Sequence, residues 1–282
     1  MEKINNILVP LDLSDYSAHI VKVCKWLSER FDAHFYFVYI VDEKMIFSFK
    51  QLDVNLRDNL VKISKEALDA IVKNSGFDQK KCSSDVILGE PFIEIISKST
   101  TRPPSDLVIV GGISSQGVHK IGDNAFKIIQ MAPTHTFVLK EKADIKTDHD
   151  VQFKKILVAL DFSEHSLMAL DYILSFKSVF NSSVHVYQVV PDKEETSEEK
   201  VREQLESRLS AEKLSNIDSI EVQAANDPAQ EILNKIEKAD IDLLAIGSHS
   251  RRRFLRNLFL GKVAYNVVRK ANSSVLIFKA PT

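Results

Sequence analysis

A set of residues suited to holding a phosphate group stands in the last third of the chain, directly after a short apolar run. Its members are Gly247, Ser248, His249, Ser250, Gly261 and Lys262. Glycine lets a backbone approach a ligand closely, free N–H groups at a helix start attract anions, and lysine adds a cation. The spacing predicts a loop from a strand into a helix that holds phosphate. The alternative is an empty loop that only caps that helix.

An aspartate closes another apolar run in the same half, since Asp161 comes two residues after Ala159. Its carboxylate could bind a ribose, or a metal ion shared with phosphate. It could equally accept hydrogen bonds from amides of its own loop, because a carboxylate is an acceptor for several donors. The sequence leaves these two roles open.

The first half of the chain carries matching but altered residues. They are Pro10, Asp12, Ile40, Gly111 and Gly122. The loop here is shorter, because seven residues separate Ser114 from Gly122, whereas ten separate the matching Ser250 from Gly261. Asp123 follows that first glycine, and a carboxylate there repels a triphosphate although it suits a helix start. We therefore expect a smaller ligand or none in the first half.

Both sets belong to an internal repeat. The matched segments are residues 6–17 with 155–166, 106–111 with 242–247, and 136–140 with 275–279. Their order is the same in both halves, which indicates a duplicated domain rather than a solenoid. A polar stretch, residues 141–150, lies between the copies and marks a boundary. We expect one domain at residues 1–142, with the altered loop, and a candidate nucleotide-binding domain at residues 153–282.

Each copy alternates apolar runs with helical patterns. Predicted strands are residues 7–11, 35–41, 85–88 and 107–110, then 156–160, 184–190, 221–224 and 243–246, and a fifth closes each copy. Predicted helices include residues 18–31 and 167–180, and the first copy has a longer helical region near residues 45–73. The pattern predicts an α/β fold with two tandem, doubly wound, five-stranded parallel sheets. Such sheets bind ligands beyond the carboxyl ends of the strands, where the strand order reverses.

The motif, the strand pattern and the duplication together resemble the universal stress protein family in its tandem form, over essentially the whole chain. ATP-binding members of that family carry G-x-x-G, nine residues and G-[S/T] after the fourth strand, and an aspartate after the first. Asp161, Gly247 and Gly261 match these positions, and Val189 matches the one that borders adenine. The resemblance implies an adenine-nucleotide α-hydrolase-like fold that binds ATP or a related adenine nucleotide, with or without Mg²⁺. It also implies a regulatory role in stress response, exerted on a protein partner that the sequence does not name.

This chain departs from the family motif in three ways. Ser250 replaces the middle glycine, ten residues instead of nine precede Gly261, and Lys262 replaces the small hydroxyl residue. Serine can keep a tight turn and offer a hydroxyl to phosphate. Lys262 could donate to phosphate as a charged group, or it could fill the phosphate space itself. Nucleotide binding and an empty loop therefore both stay open for the second half.

The final strands, residues 136–139 and 275–278, are apolar and would be sheet edges if unpaired. Unprotected edges of this kind invite pairing with another strand. In the family the final strand pairs with the same strand of another domain, so we expect the two halves to form a pseudo-dimer. A homodimer of the whole chain is a further option.

Bulk properties exclude other function classes. The formal net charge is −2, which gives no broad attraction for nucleic acid or an anionic membrane. No apolar run approaches the ~20 residues of a membrane span, and no secretion signal is visible, so we expect a cytoplasmic protein. Cysteine and histidine spacings match no zinc site. Dinucleotide and P-loop motifs are absent, and no catalytic constellation can be assembled. A nucleotide-free tandem interaction scaffold and a slow ATPase are the alternatives to a nucleotide-binding regulator.

Overall fold

A computed structural model describes residues 4–44, 54–101, 103–112, 121–140, 153–191, 196–248 and 260–279. The chain divides into two compact units, one with the described residues through Leu139 and the other with the rest. The predicted polar linker, residues 141–150, lies outside the described residues. Among the described helices, none combines the length and apolar character that crossing a bilayer requires.

The first unit alternates strands and helices along the chain. Its elements are β1 (Asn6–Leu11), α1 (Asp15–Ser28), β2 (His34–Asp42), α2 (Val54–Asn74), β3 (Cys82–Gly89), α3 (Pro91–Thr100), β4 (Leu107–Gly111), α4 (Asp123–Met131) and β5 (His135–Leu139). The strand order is β3-β2-β1-β4-β5 and every pairing is parallel. The order reverses between β1 and β4, which places the predicted ligand crevice at their carboxyl ends.

The second unit repeats this plan. Its elements are β6 (Lys155–Ala159), α5 (Glu164–Phe180), β7 (Ser183–Val190), α6 (Glu198–Glu206), α7 (Ala211–Ser215), β8 (Ser219–Ala224), α8 (Pro228–Ala239), β9 (Leu243–Gly247), α9 (Lys262–Lys270) and β10 (Ser274–Phe278). The order β8-β7-β6-β9-β10 is again all parallel. The α/β fold with two five-stranded parallel sheets is therefore confirmed.

The central strands form the floor of each core. Ile156, Leu157 and Val158 of β6 are fully buried, as continuous apolar runs of parallel sheets should be. Helix α9 buries Val267 and Val268, turns Lys262 to solvent and packs beside α8. The hydrogen bond from the Gly261 N–H to the Ser248 carbonyl holds the start of α9 beside the carboxyl end of β9.

Element boundaries differ from the sequence prediction at several ends. Helices α1 and α5 begin at Asp15 and Glu164, three residues before the predicted starts, because the acids already belong to the first helical turn. Strands β3 and β8 begin at Cys82 and Ser219, earlier than predicted. The polar residues of an edge strand hide it from a hydrophobicity pattern. Of the predicted region 45–73, the structure describes only the part within α2.

Candidate functional site

The turn after β6 presents Asp161 at the carboxyl edge of the second sheet. Its Oδ1 accepts a hydrogen bond from the Ser163 N–H at 2.9 Å, and its own N–H donates to Ser166 Oγ at 3.3 Å. Phe162 between them has a left-handed φ of 56°, which is uncommon for a side chain of this size. Among the described residues, no hydrogen bond reaches Asp161 Oδ2. The turn thus uses one oxygen of the Asp161 carboxylate, and the other accepts no hydrogen bond from the described residues.

Val189 lies at the level of Asp161 on the neighbouring strand. Ala159 pairs with Tyr187 in the β6–β7 register, and Val189 and Asp161 each come two residues later. Both residues are half-buried. The structure therefore places Ala159, Asp161 and Val189 along the same edge.

The loop after β9 is closed at its base by backbone hydrogen bonds. The Ser248 N–H donates to the carbonyl of Phe278 at 2.9 Å, and the Gly261 N–H donates to the carbonyl of Ser248 at 2.7 Å. These bonds bring the two ends of the predicted phosphate loop together. His249 and Ser250 lie outside the described residues, so their roles stay predictions.

Gly247 has a packing role that the sequence did not show. A Cβ at this position would lie 2.9 Å from both the Cβ of His165 and the backbone N of Ser166. The glycine therefore lets the start of α5 pack against the end of β9. Its contact with a ligand stays a prediction.

The start of α9 differs from every other described helix start of the second unit. Helices α5, α6, α7 and α8 each have a side-chain N-cap bond and an acidic residue in the first turn. Helix α9 has neither: its N-cap is Gly261, and its first turn has the exposed Lys262 and no acid. Uncapped N–H groups and a partial positive charge, reinforced by a lysine, are an arrangement that an anion stabilises.

His165, which the sequence motif did not include, lies beside this loop. Its Nδ1 is 3.5 Å from Ser248 Oγ, and Ser248 is almost fully buried. Burial lowers the pKa of His165, while Glu164 and Asp161 act to raise it. The signal in the sequence was positional: His165 stands four residues after the strand-end aspartate, as Tyr16 does in the first half.

The corresponding turn of the first unit is internally satisfied. Asp12 Oδ1 accepts from the Ser14 N–H at 3.0 Å, the Ser14 hydroxyl at 2.5 Å and the Ser17 hydroxyl at 3.0 Å. Leu13 repeats the left-handed conformation, with φ of 58°. Ser14 bonds Asp12 and makes no side-chain cap for α1, unlike Ser163 for α5. The turn therefore accounts for Oδ1 of Asp12, while its Oδ2, like that of Asp161, accepts no hydrogen bond from the described residues.

A tyrosine occupies the position of His165 in the first unit. The Tyr16 hydroxyl donates to the carbonyl of Leu139 at 3.0 Å, and the Gly112 N–H donates to the same carbonyl at 2.6 Å. A Cβ on Gly111 would lie 3.2 Å from the Tyr16 ring. The ring thus packs on the turn at the end of β4.

The remaining first-unit candidates also differ from their counterparts. Pro10 is in β1, one register step before the edge, and Ile40 is buried whereas Val189 is half-buried. Gly122 is the N-cap of α4, and a Cβ there would meet nothing within 4 Å. Asp123 supplies an acid to the first turn of α4. This helix start already carries the negative charge that α9 lacks.

No group of three or more His, Cys, Asp or Glu in the described parts of the chain is arranged to hold a metal ion.

Comparison with known proteins gives a consistent picture. The family model described as the universal stress protein family matches residues 3–140 and again residues 152–279. The universal stress protein MJ0577 of Methanocaldococcus jannaschii is 26% identical over 157 residues, which are 46% of this chain and 96% of that protein.

Solved structures that match nearly the whole chain include two from different organisms. A universal stress protein from Archaeoglobus fulgidus has a TM-score of 0.70 at 18% identity and covers 99% of this chain and 97% of its own. The functionally unknown protein PA1789 from Pseudomonas aeruginosa has a TM-score of 0.65 at 17% identity, with 99% and 93% covered. At these identities the likeness establishes the fold.

Proposed function

The chain belongs to the universal stress protein family, with one family domain in each half, and on this basis we propose that it is a stress-response regulator that binds ATP or a related adenine nucleotide in its second half. Binding would change the surface that a protein partner meets. The proposal assigns no catalytic residue to the chain.

The start of α9 is the observation that carries this proposal. It is the described helix of the second unit that has no side-chain cap, no acid in its first turn and a lysine at its first position. A lysine near the positive end of a helix is unfavourable by itself, at about 0.3–1 kcal/mol. A bound phosphate would accept hydrogen bonds from the free N–H groups. Its negative charge would also interact favourably with the helix dipole and with Lys262.

Asp161 and Val189 support the nucleoside side of the proposal. They share one level of the carboxyl edge, at the place where the strand order reverses. The free Oδ2 of Asp161 can accept a hydrogen bond from a ribose hydroxyl, or coordinate a Mg²⁺ that a phosphate brings.

The first half is better suited to interaction than to nucleotide binding. Asp12 Oδ1 is used by the hydroxyls of its own turn, Tyr16 packs on the turn after β4, and Asp123 supplies negative charge to the start of α4. We propose that this half binds no nucleotide. The competing function is a tandem interaction scaffold in which neither half binds a nucleotide.

A pair of matched substitutions tests the proposal. Asp is a favourable N-cap, so Gly261→Asp should keep α9 intact while its carboxylate takes the free N–H groups and repels phosphate. Gly122→Asp makes the same change at the aligned N-cap of α4, where space is open. Mass spectrometry of nucleotide released from freshly purified protein, with the ATP-dependent shift in melting temperature, is the measurement.

We expect the unaltered chain and Gly122→Asp to release an adenine nucleotide and Gly261→Asp to release none. Loss in Gly122→Asp instead would move the site to the first half. The absence of nucleotide and of any melting shift in all three proteins would support the scaffold. ATP turnover that disappears with Asp161→Ala would support an enzyme.

A further inference from the structure

A titratable side chain touches the beginning of the proposed phosphate loop. His165 Nδ1 is 3.5 Å from Ser248 Oγ, and Gly247 is so close that a Cβ there would be 2.9 Å from the Cβ of His165. The Ser248 carbonyl in turn accepts the hydrogen bond from the Gly261 N–H. Ser248 therefore contacts His165 through its hydroxyl and the start of α9 through its carbonyl.

The two halves differ at this position in one chemical respect. Tyr16 donates its hydroxyl to the Leu139 carbonyl, and a phenol ordinarily titrates far above neutral pH. His165 faces Ser248 and can take up a proton in the same pH range. The second half therefore has both the uncapped start of α9 and the imidazole of His165.

Among the described residues, the charged groups that act on the pKa of His165 belong to its own turn. Glu164 and Asp161 act to raise this pKa, but burial has the larger effect and lowers it. On the facing side, Gly247 and Ser248 carry no charge, and Lys262 is the charged residue in the described first turn of α9. Burial therefore favours the neutral imidazole, and a negative charge beside the ring would favour its protonation.

We propose that His165 is a further anion-binding residue of the nucleotide site, and that it takes up a proton when a phosphate binds beside Ser248 and the start of α9. The inference rests on the proposed function. An imidazole adds its charge only when protonated, so a contribution of His165 to anion binding depends on pH. A neighbouring phosphate favours the imidazolium form, so the affinity for nucleotide increases as the pH falls.

The experiment is isothermal titration calorimetry of the full chain with cyclic AMP between about pH 5.5 and 8. Cyclic AMP is the probe because its phosphodiester does not titrate in this range, whereas the terminal phosphate of ATP does. Runs in two buffers of different ionisation enthalpy also report the proton taken up on binding. ATP at one pH is titrated in parallel.

Two histidine variants provide the comparison. His165→Asn keeps a polar group near the Nδ1 position and cannot take up a proton. His185→Asn is the matched control, because His185 is also half-buried with a lowered pKa, but it contacts Ser183 and Ser219 at the opposite edge of the sheet.

We expect the unaltered chain and His185→Asn to bind cyclic AMP about three- to fivefold more tightly at the acid end, the range for a partly exposed charge pair. His165→Asn should show a flat profile and no proton uptake. A flat profile in the unaltered chain, or the same slope in His165→Asn, would overturn the inference and leave the proposed function standing. Failure of cyclic AMP to bind at every pH tested, together with failure of ATP at its one pH, would remove the proposed function itself.

Discussion

Aligned residues of the two halves make different hydrogen bonds. Asp12 and Asp161 occupy the same position, yet three donors satisfy Asp12 Oδ1 and one backbone N–H satisfies Asp161 Oδ1. The difference comes from Ser14, whose hydroxyl turns to Asp12, whereas Ser163 turns to the N–H of Ser166 and caps α5. A duplicated residue type therefore does not imply a duplicated role.

Gly247→Ala tests the packing role of the loop glycine. Its new Cβ would meet the backbone N of Ser166 at 2.9 Å, and a backbone atom cannot move aside without displacing α5. We expect a loss of about 1–3 kcal/mol in the free energy of unfolding, measured by urea denaturation. Gly122→Ala is the control, with an ordinary φ of −61° and open space, and should be within about 0.5 kcal/mol of the unaltered chain. Equal effects of the two substitutions would contradict this explanation.

At the scale of elements, the described helices of the second unit differ in whether a side chain caps their start. Four helices of the second unit satisfy their first N–H groups with a serine or an aspartate, and α9 does not. A terminus that is already capped has no free donors for a ligand. The caps therefore point to α9 by elimination among the described helices of that unit.

Asp227→Ala measures how much one such cap contributes to the free energy of unfolding. Asp227 Oδ1 accepts from the N–H groups of Ala229 and Gln230 at 3.1 and 3.2 Å. Its loss should cost about 1 kcal/mol, measured as a lower urea midpoint. Glu90→Ala is the control, because Glu90 is the aligned N-cap of α3 and makes no side-chain cap bond. It removes an ion pair with Lys44, at 2.9 Å and largely exposed, which should contribute less than the cap because solvent screens the two charges. A loss in Glu90→Ala as large as that in Asp227→Ala would contradict the cap explanation.

Asp218→Asn should act in a pH-dependent way at the junction of α5, β7 and β8. Burial alone would raise the pKa of Asp218, but the Lys177 ammonium and the Val184 N–H outweigh it and hold the pKa below its ordinary value. A lowered pKa in the folded state contributes stability above the unfolded pKa, which is lost as the pH falls through the folded one. The variant should therefore be less stable than the unaltered chain at pH 7 and equal to it in strong acid. Melting temperatures across that range provide the check, and a constant difference would contradict it.

At the scale of the whole molecule, duplication repeats one architecture while other features of the two halves diverge. The strand order is identical in both units, and so is the left-handed turn at Leu13 and Phe162. The units differ between their second and third strands, where the first has the described helix α2 and the second has α6 and α7. They also differ at the carboxyl edge, and the proposal of a nucleotide site in the second half rests on that difference.

Pairing of the final strands stays a prediction for this chain. Strands β5 and β10 are each the last strand of their own unit's sheet, and apolar edges favour pairing. A protease site introduced within residues 141–150 should therefore yield two fragments that still elute together in size-exclusion chromatography. The uncleaved chain is the reference, and separate elution of the fragments would contradict the pseudo-dimer.

Much of the fold was readable from the chain because it depends on local patterns. Buried parallel strands must be continuously apolar, so residues 7–11 and 107–110 identified β1 and β4 within one residue at each end. Proline at the first helical position marked α3 and α8. The starts of β3 and β8 were missed because the polar residues there pair along the backbone, which leaves no hydrophobic signal.

The sequence by itself determined the duplication, the parallel α/β architecture and the family, since each follows from the order and type of residues along the chain. Only the tertiary structure decided that Asp12 is satisfied within its turn, that Gly247 makes room for His165 and that α9 starts without a cap. These facts depend on distances between residues far apart in sequence, or on which of several donors an acceptor meets. Composition and spacing do not contain that information, because the same residues can form either set of contacts until the helices pack on the sheet.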